Sequence, residues 1–244
     1  MVAHELRNWR ERRRISQLEL ALRAGTTQRH VSFIERGRST PGRAMVIRLA
    51  EALEVPLRER NALLLAAGYA AAYAETPFEH PELAPVRRAL ERVLRGHLPY
   101  PAVLTDGAGQ LVGANAAFEA LIGGVSPALL APPVSVARVL LHPHGLAPRI
   151  VNLDEWGRHV IDALRHRGQR ALADELAALL PPARAPAPDH RGYAVPLRLR
   201  DPELTLLTTL THFGTAVDVT VAELSLEAFL PADEATEQAL AHAV

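Results

Sequence analysis

The sequence predicts an α+β chain: an all-α domain of five short helices, then a domain built on a five-stranded antiparallel sheet with helices. Three observations predict it. Capped segments with apolar residues at helical spacing fill the first 67 residues, the spacing turns to strand-like alternation from Tyr100, and a helical middle separates two strand-like runs from three more. The chain has 244 residues, 48% of them apolar, which is enough to bury at least one full core and fits two domains. The expected organisation is a helical domain over 1–70, a connector and linker helix over 71–96, a sheet domain over 97–232 and a C-terminal tail over 233–244.

The first helix is expected over His4 to Arg14, with Leu6 and Trp9 on its apolar side. Ser16 followed three residues later by Glu19 is a capping box opening a second helix, which Gly25 ends. Thr26-Thr27 caps a third over Gln28 to Arg36, with Val31 and Ile34 inward and Gly37 at its end. Pro41 precedes a fourth with the stripe Met45, Leu49, Ala52 and Leu53, and Leu57 to Ala67 supplies a fifth.

Thr76-Pro77 and His80-Pro81 interrupt regular structure and mark residues 71 to 82 as a connector. Leu83, Val86, Leu90, Val93 and His97 then follow 3-4-3-4 spacing. Two readings of that helix stand: a short coiled-coil seam, or a helix laid against the next domain.

In the sheet part, Val103-Leu104-Thr105, the turn Asp106-Gly107-Ala108-Gly109 and Leu111-Val112 read as a hairpin. Asn115 caps a short helix to Ile122, and the clearest helices of the middle are Leu153 to His166 and Arg170 to Leu180. Pro181 to Pro188 is a proline-rich loop. Val195 to Leu199, Leu204 to Phe213 and Val217 to Phe229 are expected as the last three strands, with alternation that suits a sheet with one wet face.

The charge is polarised along the chain. Residues 1–48 hold eleven Arg against four Glu, while the remainder holds 16 Arg against 23 acids. A basic head suits a phosphate backbone, and a solvated charged face fits the same count. All basic residues are Arg, so Arg abundance alone points to no function. Cysteine is absent, which fits a reducing compartment, and the longest apolar run, Leu63 to Ala74, is too short to cross a bilayer. The expected location is cytoplasmic, with no membrane partner.

The segment Ser16-Gln17-Leu18-Glu19-Leu20-Ala21 to Gly25-Thr26-Thr27-Gln28, ending Ile34-Glu35-Arg36-Gly37, resembles the Xre family of phage repressor-like helix-turn-helix proteins over about Leu6 to Leu65. In that geometry the second helix of the pair enters the major groove with its N-terminal residues over base edges. The resemblance implies that Gln17 contacts a phosphate and supports Gln28, which suits bidentate pairing with adenine. Arg29, on the same exposed side, suits guanine; Ser32 lies beside it, and Thr27 and Arg43 are phosphate candidates near helix N-termini. Phe33, usually polar in base-reading repressors, contacts a thymine methyl or is packed. His30 reads as a structural residue. Arg10 and Glu35 stand where the resembled repressors carry an ion pair that orients the recognition helix; two unconnected surface charges is the other reading.

The remainder, about residues 83 to 232, resembles the MmyB-like ligand-binding domain, a PAS-like fold attached to Xre heads. The carrying residues are Pro99-Tyr100-Pro101-Ala102, Asn115-Ala116-Ala117, His142-Pro143, Pro148 to Trp156, and Phe213-Gly214-Thr215-Ala216-Val217-Asp218-Val219-Thr220. The resemblance implies an apolar cavity holding a fatty-acid-like molecule. Arg149 and His142 are the candidate carboxylate partners, with Asn115, Asn152, Trp156 and Phe118 as candidate walls; ordinary core, capping or surface roles fit each of the six as well.

Other signals fail on spacing. Gly107, Gly109 and Gly113 do not match a dinucleotide loop, His142-Pro143-His144 lacks a third metal ligand, and no G-x-S-x-G, H-E-x-x-H or Walker sequence occurs. The expected function is therefore a dimeric, sequence-specific transcription regulator of double-stranded DNA, modulated by a small apolar ligand, with no catalysis, no cofactor and no metal. The alternative is a protein-interaction head, antitoxin-like or a sigma-factor partner.

Overall fold

The computed structural model describes residues 2–182 and 194–242. The proline-rich loop expected over Pro181 to Pro188 lies outside the described residues from 183 onward. The chain divides into two compact units, one of Met1–Phe78 with Gly214–Ala222, the other of Glu79–Phe213 with Glu223–Val244.

The first unit is built on five helices: α1 (Val2–Arg12), α2 (Gln17–Arg23), α3 (Gln28–Glu35), α4 (Arg43–Ala52) and α5 (Leu57–Ala66). Local chemistry sets the ends of the central pair. The Ser16 hydroxyl accepts from the Glu19 N–H at 3.1 Å and the Thr27 hydroxyl from the His30 N–H at 3.2 Å, satisfying first-turn donors that a helix leaves unpaired. Gly25 and Gly37 then take φ of +62° and +67°, conformations that a side chain would strain, and the chain turns out of α2 and α3. Leu6, Leu20, Val31, Ile34, Leu49 and Leu64 are fully buried at the centre, so each helix contributes an apolar face to one core.

Residues 71–74, part of the connector expected over 71–82, are bound to α5. Asn61 Oδ1 accepts from the N–H groups of Ala72 and Tyr73, and its Nδ2 donates to the Tyr73 carbonyl at 2.8 Å. The segment Gly214–Ala222 joins the same unit, where the Val219 N–H donates to Ala74 O and the Thr76 N–H to Asp218 Oδ2. The strand expected over Val217 to Phe229 is corrected here. Asp218 Oδ1 accepts from the Val221 N–H, helix α11 (Val219–Glu223) forms, and the strand begins only at Ser225. A local cap outweighs the alternating Val-Asp-Val-Thr-Val pattern.

The second unit carries α6 (Ala84–Gly96), β1 (Ala102–Thr105), β2 (Leu111–Ala114), α7 (Ala116–Leu121), α8 (Val136–Leu141), α9 (Leu153–His166), α10 (Arg170–Ala177), β3 (Leu197–Leu199), β4 (Leu204–His212), β5 (Ser225–Pro231) and α12 (Glu234–Ala241). The strands form one antiparallel sheet in the order β2-β1-β5-β4-β3. In its register, Glu227 of β5 lies opposite Val103 on one side and Leu210 on the other. Phe118, Leu141, Trp156, Leu176, Leu206 and Phe229 are buried in its core.

The expected tail over 233–244 is likewise corrected, since α12 fills most of it. Asp233 accepts from the Thr236 N–H at 2.7 Å, the Thr236 hydroxyl takes the Thr205 N–H at 2.9 Å, and Leu240 is buried. Among the described residues no helix is long and apolar enough to cross a membrane.

Candidate functional site

In the first unit, a buried ion pair fixes the attitude of α3. Arg10 of α1 clasps Glu35 at the end of α3 with Nε to Oε1 at 2.6 Å and Nη2 to Oε2 at 2.9 Å, and its Nη1 donates to Ile15 O at 3.0 Å. The Glu35 side chain is 3% exposed and that of Arg10 13%, so the paired, bidentate geometry is what makes burial of the charge tolerable. Hydrogen bonding to Glu35 holds the Arg10 pKa above its ordinary value, against the opposing effect of burial.

Gln17 joins this pair rather than standing clear of it. Its Nε2 donates to Glu35 Oε2 at 2.7 Å and the residue is half-buried. That bond uses one of the two amide hydrogens, and the second remains for the phosphate contact expected of this side chain. The pull comes from Glu35, whose carboxylate gathers donors from α1 and α2 together.

The opposite face of α3 is open. Gln28 and Arg29 are exposed in its first turn, Thr27 is exposed just before it, and Ser32 is half-buried one turn on, while Val31, Ile34 and Glu35 face inward. The Thr27 hydroxyl accepts its capping bond and keeps its proton to donate. Phe33 is half-buried beneath two cations, with the Arg29 and Arg36 guanidinium carbons 5.2 and 5.6 Å from its ring centroid. Arg36, exposed at the end of the motif, was given no role from sequence. His30 is held by Thr26, whose Oγ1 lies 3.0 Å from its Nδ1. Arg43 is exposed as the first residue of α4, and no side chain caps that helix.

The second unit contains a cavity of about 210 Å³. Val136 and Leu140 of α8, Trp156, Val160 and Leu164 of α9, and Leu172 of α10 give it apolar walls. Thr208 of β4, Glu227 of β5, Gln169 and Arg167 supply polar groups. Burial pushes the Glu227 carboxyl up to about 7, with the Arg167 charge pulling the other way. The Thr208 hydroxyl and Gln169 Oε1 are buried without a hydrogen-bond partner.

Of the six residues expected at the ligand, Trp156 lines this cavity. The other five lie elsewhere. Asn115 is a backbone clamp: its Oδ1 accepts from Ala102 and Phe118 N–H, and its Nδ2 donates to Leu94 O and Tyr100 O. Asn152 similarly donates to Pro196 O and accepts from the Arg198 N–H. Phe118 stacks on Phe229 in the core, His142 Nδ1 accepts from the His144 N–H, and Arg149 Nη1 donates to Leu121 O with its Nε unpartnered. Sequence reasoning missed Thr208, Gln169 and Glu227. The available signal was Glu227 itself, a charge two residues from Ser225 and Phe229 in an otherwise apolar strand.

Comparison with known proteins adds two family matches. Residues 86–243, more than half of the chain, match the model of the MmyB-like transcription regulator ligand binding domain, and residues 6–60 match a helix-turn-helix model. The chain is also similar to an uncharacterized HTH-type transcriptional regulator, y4dL, of Sinorhizobium fredii, 41% identical over 56 residues. That stretch covers 23% of this chain and 29% of the relative.

Proposed function

We propose a function from the family to which the chain belongs, the transcription regulators with an MmyB-like ligand-binding domain: a cytoplasmic dimer that binds a specific DNA site and answers to a small apolar ligand. The observation that carries it is the two-sided α3. One side is locked to the core and to Arg10, and the other offers Gln28, Arg29 and Ser32 to a partner.

A helix held at a fixed attitude with exposed amide and guanidinium groups in its first turn has what major-groove reading requires. Gln28 reads adenine and Arg29 guanine, with Ser32 alongside. Thr27 and Arg43 hold phosphates, and Phe33 meets a thymine methyl with its ring edge. Arg10 and Glu35 position the helix, and Gln17 donates one amide hydrogen to Glu35 and the other to a phosphate.

A single head of this size touches few phosphates, so two copies reading half-sites about 34–36 Å apart supply the specificity a regulator needs. The ligand shifts the population between dimer geometries by binding one better than the other. The apolar cavity supports an apolar, fatty-acid-like occupant, and the five-stranded antiparallel sheet with helices supports the PAS-like description of the second unit. Footprinting of the full chain on DNA upstream of its own reading frame tests this. Two protected patches one helical turn apart are expected; no protection, together with a stoichiometric protein partner bound to the head, would overturn it.

A further inference from the structure

The polar groups inside the cavity state what kind of ligand head it accepts. Glu227 is half-buried, lines the cavity and makes no hydrogen bond or ion pair among the described residues; in the sheet it lies between Val103 and Leu210. Gln169 spends its Nε2 on the Gly107 carbonyl at 3.1 Å, which leaves its Oε1 as a buried acceptor with nothing to receive. The Thr208 hydroxyl, two register positions along the sheet from Glu227, is buried and unpartnered as well.

All three groups can accept hydrogen bonds, and a buried polar atom left unsatisfied is costly, so the cavity calls for donors. Arg167 also lines the cavity but is exposed, so water screens it and it does not meet the needs of the interior. His159, the remaining ionisable lining residue, is exposed too.

Size limits the rest of the molecule. A dry cavity of roughly 150 Å³ holds benzene, so about 210 Å³ suits a ring or short chain with a small head, and a long acyl chain would need the walls to move. We propose that this cavity binds a small amphiphilic amine, its ammonium donating to Glu227, Thr208 and Gln169 and its apolar body lying against Trp156, Leu140 and Leu164. The proposal rests on the reading of the second unit as a ligand domain and departs from the fatty-acid expectation in the sign of the head group. Ionised Glu227 attracts a cation and repels a carboxylate, and the poise of this carboxyl near neutrality lets the ligand itself draw it into the charged form.

Calorimetry on the full chain with four probes tests this: phenethylamine, hydrocinnamate, phenylethanol and decanoate. The expected result is that phenethylamine binds at least tenfold more tightly than the other three, and that Glu227→Gln removes the preference. Thr208→Val, which keeps the shape of the side chain, should weaken the amine severalfold and serves if the first variant fails to fold. Binding of decanoate or hydrocinnamate in preference to the amine, or no change in either variant, overturns the proposal while leaving the apolar-ligand reading in place. If none of the four binds, both fail.

Discussion

The Gln17 amide donates to Glu35 Oε2 at 2.7 Å, on the oxygen that also takes Arg10 Nη2, so one carboxylate ties α1, α2 and α3 together. Glu35→Ala leaves the Arg10 guanidinium almost buried with only its bond to Ile15 O and the more exposed Glu11 carboxylate 3.8 Å away, the costly way to break such a pair. Destabilisation of about 3 kcal/mol is expected in denaturant unfolding of the full chain. Gln17→Ala removes one hydrogen bond to a charged group and should cost about 1.5–3 kcal/mol at most. Equal stability of Glu35→Ala and the parent would contradict the network.

Arg43 is exposed at the start of α4 and is assigned to phosphate. Arg43→Ala should weaken DNA binding by a similar factor on every sequence and reduce the slope of log affinity against log salt by about one. A loss confined to one base position, measured by fluorescence anisotropy over a set of operator variants, would instead make it a base reader.

Glu227 gives a stability term with a definite sign. Its folded-state pKa is raised from 4.5 to about 7, so the folded chain prefers the protonated carboxyl. The associated stability is fully present below about pH 4.5 and is lost as pH rises through 7. Without ligand, Glu227→Gln should match the parent near pH 4 and exceed it at pH 8 by up to roughly 3 kcal/mol. His159 and Arg167 are common to both proteins and cancel in the difference. Parallel stability profiles across this range would show that the carboxyl is not buried as described.

Asn115 satisfies four backbone groups around β1 and α7 and is 5% exposed. Asn115→Ala strands several of them, so a loss of about 2–4 kcal/mol is expected. The preference among the cavity probes should survive in that variant under conditions where it is folded, because Asn115 does not line the cavity. A changed preference with stability intact would return it to the ligand site.

The head was legible because its signals are local. Ser16, Thr27, Gly25 and Gly37 each act within a turn of their own position, and the apolar spacing of Val31 and Ile34 points inward on the helix they define. That Gln17 donates to Glu35 was not legible, since the carboxylate is eighteen residues away and meets it only after three helices assemble. The same holds for the cavity. Leu210 and Glu227 become neighbours through strand register, and Gln169 approaches the site only because its amide is anchored to Gly107. In the segment after β4, the alternating valines read as strand, yet Asp218 captures the Val221 and Thr76 amides and makes a helix start. Long-range pairing and side-chain caps therefore decided the places where periodicity misled.

The most direct test of the central claim is the affinity of the full chain for its own upstream DNA across a salt series, with the double variant Gln28→Ala, Arg29→Ala alongside. Specific binding that falls steeply with salt is expected, with the variant reduced to the level of unrelated DNA while its unfolding midpoint is unchanged. Affinity flat with salt, or a double variant that binds as the parent does, would contradict the assignment of α3 as the reading helix.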